Sequence, residues 1–129
     1  MARKPRAIPS DLLSVYLTVV GPKTWRSVKV AVDTGATYTI LPPDVLLDIG
    51  YDPAVSDTRL ELSTANGLVI APVLRVREMK CLGLTLKQVE VVTHHLPPES
   101  PVEGLLGLNV LCHYRPFQTF RNALRPFTA

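Results

Sequence analysis

The sequence predicts a mainly β single domain, and three observations lead to that fold class. The chain has 129 residues, which is enough for one hydrophobic core and too few for two domains. Hydrophobic residues make up 47% of the chain and charged residues 19%, so folding can bury enough apolar surface to offset the ordering of the chain. Twelve prolines and seven glycines break the chain into short segments, which disfavours a bundle of long helices.

Two alternating segments open the predicted domain. Residues 13–20 and residues 27–32 each place apolar side chains at every second position, the period of a strand with one buried face. A Gly21-Pro22-Lys23 turn separates them. The pattern predicts a β-hairpin whose second strand runs directly into Asp33.

A short helix and a second hairpin are predicted next. Residues 42–49 begin with two prolines and continue with apolar residues, which is typical of one or two helical turns. Residues 58–65 and 68–76 alternate on either side of Asn66-Gly67, a pair that tolerates the positive φ of a type I′ turn. Pro72 cannot donate to a ladder, so the returning strand is expected to be an edge strand or to be bulged there.

The rest of the domain is predicted to contain further strands and a loop. Residues 73–81 and 84–92 are expected to be strands, and residues 96–101, which contain three prolines, a loop. Glu103 lies beside this loop and is expected to be a solvated charge. Residues 104–112 form a nearly continuous apolar run, consistent with a buried strand followed by a short helix.

Several kinds of partner and compartment are disfavoured by composition. No stretch approaches 18 uninterrupted apolar residues, so neither a membrane span nor a secretory signal is predicted. The net charge of +3 and the pI of about 9.1 come largely from basic residues near both ends. Such ends are usually solvated, so no nucleic-acid partner is expected. Two cysteines form at most one bridge, which indicates a reducing cytoplasm.

No metal or other cofactor is expected. His94 and His95 are adjacent, so on a strand they would point to opposite faces, and no Cys or carboxylate lies nearby at ligand spacing. Cys112 and His113 are also adjacent in sequence, which is not the geometry of a thiolate–imidazole pair. Cys112, like Cys81, is therefore expected to pack as a small hydrophobic residue.

The most informative string is Asp33-Thr34-Gly35-Ala36, which follows an apolar strand. An aspartate in this position often caps a turn through an Asx hydrogen bond, and that is the simplest structural explanation. From average residue usage, however, such a string occurs by chance in a chain of this length with a probability of roughly a few in a thousand. The string is therefore specific enough to suggest a function.

Asp33-Thr34-Gly35-Ala36 resembles the active-site signature of aspartic proteases. Leu105-Leu106-Gly107 is similar to the hydrophobic-hydrophobic-glycine motif that supports the active-site loop of this family, and Thr64-Ala65-Asn66-Gly67 lies where the family has its flap hairpin. Together, over about residues 10–112, these elements resemble the retropepsin-like single-domain aspartic proteases, in particular their bacterial members. Leu108 departs from the pattern of viral members, which often carry arginine there.

The resemblance implies an all-β, closed-barrel-like retropepsin or acid-protease fold with one short helix and one domain per chain. The protease domain is expected to span residues 11–113. Residues 1–10 would then be a basic N-terminal tail. Residues 114–129 would form a C-terminal segment that is a candidate part of a dimer interface.

The resemblance also implies an aspartic-type endopeptidase with Asp33 as its catalytic residue. Peptide hydrolysis needs one group to take a proton from water and another to give one to the carbonyl oxygen, and two carboxyls that share a proton do both. The sequence contains no second Asp-Thr-Gly or Asp-Ser-Gly. The pair is therefore expected to come from two copies of Asp33 in a homodimer that acts on an extended polypeptide.

Neighbouring residues acquire expected roles from the same resemblance. Thr34 would bond across the dimer axis, Gly35 would allow close approach of the partner, and Ala36 would leave room for the substrate. The residues expected to support this loop are Leu105, Leu106 and Gly107. The residues expected to form a flap over bound peptide are Ala65, Asn66, Gly67 and Leu68.

Two other functions remain open from the sequence. The first is a catalytically silent retropepsin-like module for dimerisation or binding, against which the intact Asp33-Thr34-Gly35 argues. The second is a small basic β-barrel that binds nucleic acid through its arginine-rich ends. That function predicts a steep dependence of affinity on salt concentration.

Overall fold

The computed structural model describes residues 13–64 and 66–114. The described elements, in chain order, are β1 (Ser14–Val20), β2 (Trp25–Val32), β3 (Thr39–Leu41), α1 (Pro43–Ile49), a 3-10 turn (Pro53–Val55), β4 (Arg59–Thr64), β5 (Gly67–Cys81), β6 (Leu84–Thr93), β7 (Gly104–Leu106) and α2 (Leu108–Leu111). The predicted basic tail at residues 1–10 and residues 115–129 of the predicted C-terminal segment lie outside the described residues.

Six of the described strands close into a barrel in the order β1-β2-β7-β3-β6-β5, and β5 pairs again with β1. The seventh described strand, β4, pairs with β5 alone. Fully buried side chains such as Leu17, Val30 and Leu106 fill the interior. Closure removes open sheet edges from the barrel itself, so the predicted all-β, closed-barrel fold class is confirmed. The predicted short helix is α1, and α2 is a second helix of four residues.

The predicted first hairpin is confirmed. β1 and β2 pair antiparallel from Ser14 opposite Ala31 to Val20 opposite Trp25. The turn between them packs on α1, because a Cβ at Gly21 would lie 2.4 Å from the Ile49 carbonyl oxygen. β1 on one side and β7 on the other hold β2 before it reaches Asp33.

β5 belongs to two regions of the molecule. The strands predicted at residues 68–76 and 73–81 are one strand of 15 residues. Pro72 is the last residue registered against β4, and Val73 is the first registered against β6. A residue without an N–H therefore lies where the strand changes neighbour, as expected for proline at an edge.

The turn of the β4–β5 hairpin lies one residue earlier than predicted. Thr64 pairs with Gly67, so the connecting residues are Ala65 and Asn66, and the prediction of Asn66-Gly67 as the turn pair is wrong. The Thr64 hydroxyl donates to the Gly67 carbonyl at 2.7 Å and accepts from the Asn66 N–H at 3.2 Å. These bonds place the left-handed φ of 114° at Gly67. Ala65 itself lies outside the described residues.

Tyr114 packs against the end of β5. Its hydroxyl donates to the Cys81 carbonyl at 2.5 Å. Burial raises the pKa of the Cys81 thiol, and a hydrogen bond with Tyr114 lowers it to a smaller extent. Burial also raises the pKa of the Tyr114 phenol. Within the described residues, no helix is both long and apolar enough to cross a membrane.

Candidate active site

Asp33 directly follows β2 and is half-buried. Its backbone N–H donates to the Leu106 carbonyl of β7 at 3.0 Å, one step beyond the parallel pair of Val32 with Leu106. Val30 and Ala31 are fully buried, so sliding β2 along the barrel would expose them to water. The place where the backbone leaves the barrel is therefore fixed by both burial and hydrogen bonding.

Residues 33–36 form a tight turn at the end of this strand. The Ala36 N–H donates to the Asp33 carbonyl at 3.1 Å, and the Gly35 N–H donates to Oδ1 of Asp33 at 2.9 Å. The second bond is the Asx hydrogen bond that a structural role alone would also give. It fixes the orientation of the carboxyl. A Cβ at Gly35 would lie 3.2 Å from the same oxygen, so glycine leaves that bond unstrained.

The second carboxyl oxygen of Asp33, Oδ2, has no bonding partner among the described residues. Among the described residues, Oδ2 accepts no hydrogen bond and no Lys or Arg forms an ion pair with Asp33. A carboxylate accepts hydrogen bonds on both oxygens, so Oδ2 can accept from water or from a protonated carboxyl. The described residues contain no group of three His, Cys, Asp or Glu that could hold a metal ion.

The carboxyl lies at an open surface. Three clefts of the described surface have volumes of about 660, 520 and 230 Å³, and Asp33 lines none of them. The largest lies between the 3-10 turn and β5. Sites that bind small molecules or peptides are usually concave. Within residues 13–64 and 66–114, none of these three clefts reaches Asp33, so a concave binding site around it would need a further wall.

The structure brings Leu105, Leu106 and Gly107 against the Asp33 turn. Leu106 is fully buried, and Leu105 pairs with both Ala31 and Ile40. A Cβ at Gly107 would lie 2.3 Å from the Tyr38 carbonyl oxygen. Only glycine at position 107 lets the backbone at the end of β7 approach the backbone of Tyr38 this closely.

The beginning of α2 also bonds to the turn region. The Leu108 N–H donates to the Ala36 carbonyl at 2.8 Å, and the Asn109 N–H donates to the Thr37 carbonyl at 3.1 Å. The first N–H groups of a helix have no partner within the helix. Here the chain that follows Asp33 supplies their acceptors.

Two residues that link these segments, Thr39 and Asn109, were not predicted from the sequence. Oδ1 of Asn109 accepts from the Thr39 N–H at 2.9 Å and from its hydroxyl at 3.0 Å. Nδ2 of Asn109 donates to the Glu90 carbonyl at 2.8 Å, and the Thr39 hydroxyl accepts from the Gly107 N–H at 3.1 Å. The available signal was an amide inside the apolar run 104–112, because a polar group in such a setting needs partners.

The residues predicted as a flap lie at the end of the β4–β5 hairpin. Asn66, Gly67 and Leu68 are exposed. No hydrogen bond among the described residues joins them to the Asp33 turn. Among the described residues, the turn is therefore bonded to the chain around Leu105–Gly107 and not to the hairpin end.

Comparison with known proteins identifies the family. A family model described as gag-polyprotein putative aspartyl protease matches residues 25–113. A search of the curated proteins found no match. Among solved structures, a retropepsin-like aspartic protease from Rickettsia conorii matches with a TM-score of 0.65 and 19% identity, over 84% of this chain and 76% of that one. Since the family model covers the chain from β2 through α2, including Asp33 and Leu105–Gly107, the protein belongs to the gag-polyprotein aspartyl protease family and has the retropepsin-like fold.

Proposed function

We propose that this protein is an aspartic endopeptidase that works as a homodimer, with two Asp33 carboxyls meeting at the dimer axis. One observation carries the proposal: the barrel backbone fixes a half-buried carboxyl and, among the described residues, leaves one of its oxygens without a hydrogen-bond donor. A second copy of the chain supplies the second carboxyl and a surface that faces the first. The family of the chain supports the same activity.

In the proposed reaction, a water molecule lies between two carboxyls that share one proton. The ionised carboxyl takes a proton from the water as the water oxygen attacks the peptide carbonyl carbon, and the protonated carboxyl gives its proton to the carbonyl oxygen. In the second step one carboxyl removes a proton from the tetrahedral intermediate while the other protonates the nitrogen. The C–N bond then breaks to give an acid and an amine, and the carboxyls return to their starting state. This coupled pair is well known from other aspartic proteases.

The turn geometry suits this chemistry because it restricts the carboxyl before substrate arrives. The Gly35 N–H holds Oδ1 and the Leu106 carbonyl holds the Asp33 N–H, so little reorganisation is needed on binding. In the dimer, the exposed Thr34 hydroxyl would bond across the axis. Gly35 would allow the two turns to approach, and Ala36 would leave space for the peptide backbone.

We assign the β4–β5 hairpin as the flap of this site. Leu68 and Ile70 are 67% and 61% exposed, so the hairpin carries apolar surface that bound peptide can cover. Closure of the hairpin end, residues 65–68, would exclude water and offer backbone groups to an extended substrate. The protease domain is assigned to residues 11–113, with residues 1–10 as a basic tail and residues 114–129 as a candidate part of the dimer interface.

Turnover measured together with sedimentation tests the proposal. Specific activity on an extended peptide should fall on dilution over the concentration range in which sedimentation shows dimers dissociating. A peptide with a hydroxyl group in place of the scissile carbonyl should inhibit far more strongly than the matching substrate binds. Alkylation at Cys112 should leave activity in place.

Three outcomes would contradict the proposed function. A monomer that turns over peptide at constant specific activity would rule out a site built from two chains. A stable dimer that neither cleaves extended peptides nor binds the isostere would be a binding module. Loss of activity on Cys112 alkylation, with no binding of the isostere, would indicate cysteine chemistry.

A further inference from the structure

We propose that Glu103 is a positioning residue for Asp33. Glu103 sets the register of β7 beside β2, and that register places the Leu106 carbonyl that holds the Asp33 N–H. The kinetic part of this inference rests on the proposed protease function. The structural part does not, because it concerns the hydrogen bond between Leu106 and Asp33.

Glu103 precedes β7 and bonds twice to one residue of β2. Its N–H donates to the Lys29 carbonyl at 2.9 Å, and its Oε1 accepts from the Lys29 N–H at 3.3 Å. The side-chain carboxylate thus accepts a β2 N–H at the position just before the ladder pair of Val30 with Gly104. The two bonds tie this end of β7 to a single position on β2.

The other carboxylate oxygen is oriented by Arg26. Oε2 of Glu103 accepts from the Arg26 guanidinium at 3.2 Å, and the same guanidinium binds Asp48 of α1 at 2.7 Å. The side chains of Glu103 and Asp48 are 42% and 60% exposed, and exposed ion pairs contribute little by themselves. The bond to the Lys29 backbone is therefore the important one, and Arg26 orients the carboxylate that makes it.

β7 needs such an anchor because it is short. It has three residues, Gly104 to Leu106, and only Leu105 is registered against β3. A shift by one residue would turn the fully buried Leu106 side chain to the opposite face of the sheet. The same shift would remove the Leu106 carbonyl from the Asp33 N–H. Glu103 at one end of the strand and Gly107 at the other keep this arrangement in place.

The consequence for catalysis follows from the proposed geometry. Two carboxyls must meet at hydrogen-bond distance, and a displacement of about 1 Å can lower a rate by about a hundredfold. Loss of the Glu103 carboxylate is expected to loosen the backbone of Asp33. It leaves the carboxyl itself and the substrate-binding residues unchanged.

Amide hydrogen exchange in the full chain tests the structural part without substrate. In Glu103→Ala, exchange of the Asp33 and Lys29 amides should accelerate by about tenfold or more relative to the Val28 amide, which serves as an internal reference. In Glu103→Gln both amides should exchange nearly as in the parent protein, because the side-chain amide oxygen still accepts from Lys29. Glu99→Ala, at an exposed site in the same loop, is the matched control and should change neither amide.

The kinetic readout separates positioning from a general loss of stability. Glu103→Ala should lower kcat by about tenfold with little change in KM, and Glu103→Gln should restore most of it. Unchanged Asp33 exchange in folded Glu103→Ala overturns the inference, whatever the turnover. If the parent protein shows no turnover, the proposed function fails while the exchange result still decides the role of Glu103.

A second variant keeps the test decisive if Glu103→Ala does not fold. Arg26→Gln removes the cation that orients the carboxylate and retains Glu103 itself. Exchange of the Asp33 amide should then accelerate by about threefold, a smaller change in the same direction. An Arg26→Gln protein with parental exchange at both Asp33 and Lys29 would also overturn the inference.

Discussion

The Asp33 turn and the β4–β5 hairpin, the two regions proposed to meet the substrate, are held in different ways. The turn bonds to the barrel through the Leu106 carbonyl and through the first N–H groups of α2. The end of the hairpin bonds within itself, through the β4–β5 ladder and the Thr64 hydroxyl. A reacting carboxyl needs fixed geometry, whereas a cover needs to open. The difference in attachment is what these two roles require.

β5 shows the same difference within one strand. Leu68 and Ile70 in the hairpin part are 67% and 61% exposed, whereas Val76 and Met79 in the barrel part are 0% and 1% exposed. Pro72 lies at the boundary between the two parts. Local opening is expected to stop at this boundary, because beyond it each step exposes buried side chains.

The largest expected effect is at Asp33, the proposed catalytic residue. Asp33→Asn should lower peptide hydrolysis by about a thousandfold or more, because the amide can neither take nor give the shared proton. The fold and the dimer should persist, since the side chain keeps its shape and its acceptor for the Gly35 N–H. Steady-state turnover with sedimentation measures both. Asp57→Asn, at an exposed site, is the matched control, and turnover of Asp33→Asn at the parental rate would refute the assignment of Asp33.

Two glycine substitutions compare the regions directly. Gly107→Ala should lower the free energy of unfolding by about 3 kcal/mol, because its Cβ would press on the Tyr38 carbonyl oxygen. A Cβ at Gly67 would have no atom within 4 Å, but the residue has a φ of 114°. Gly67→Ala should therefore cost only backbone strain, about 1 kcal/mol. Chemical denaturation of both variants measures the difference. Equal costs would show that the turn and the hairpin end are equally tolerant.

The link between Thr39 and Asn109 should come next in size. Asn109→Ala leaves the buried Thr39 N–H and hydroxyl without their acceptor, at a cost of about 2 kcal/mol in unfolding free energy. Asn109→Asp keeps an oxygen for Thr39 but places a carboxylate oxygen, in place of the donor, against the Glu90 carbonyl, and the two oxygens repel. It should therefore also destabilise the protein, by about 1 kcal/mol or more. An Asn109→Asp protein as stable as the parent would show that the contact with Glu90 contributes little.

Features of the fold with a local pattern could be predicted from the sequence. The β1–β2 hairpin follows from the alternation of apolar residues and an adjacent turn. The close fit of residues 105–107 to the turn of residues 33–36 was expected only from the resemblance to a family. The hairpin turn was misplaced by one residue: Thr64 pairs with Gly67 and its hydroxyl bonds to the Gly67 carbonyl, a side-chain contact that the turn preference of Asn66-Gly67 does not include.

Contacts between distant segments could not be predicted in this way. Thr39 and Asn109 are 70 residues apart, and Arg26 and Glu103 are 77 apart. The apolar run around Asn109 indicates that its amide needs partners but not which residues supply them, and Glu103 was expected to be only a solvated charge. It is exposed, as that expectation requires, but it also accepts hydrogen bonds from β2. The hydrogen-bond partners of these polar side chains are brought together only when the barrel closes. A short window of sequence does not show which distant residues will meet.

A smaller effect is expected at the hairpin end. Thr64→Val removes the bonds to the Gly67 carbonyl and the Asn66 N–H, with less than about 1 kcal/mol of global stability lost at this partly exposed site. Exchange of the hairpin amides should accelerate, and KM should rise while kcat stays near the parental value. Thr85→Val on β6, also exposed, controls for loss of a hydroxyl. Faster exchange at Asp33 in Thr64→Val would show that the two regions are coupled.

The smallest expected effect concerns the barrel end of β5, where burial raises the pKa of the Cys81 thiol. The folded state favours the neutral thiol, so this contribution to stability is complete below the pKa of the unfolded thiol, about 8.5. It is lost as pH rises through the higher pKa of the folded state. Unfolding free energies measured between about pH 8 and 9.5 should therefore decline more steeply in the parent protein than in Cys81→Ala. Exchange in the hairpin should show no corresponding opening, because the thiol lies beyond Pro72 in the barrel part of β5. Parallel pH profiles for the two proteins would mean that the barrel end is hydrated, and that the difference between the two parts of β5 is smaller than the burial of their side chains indicates.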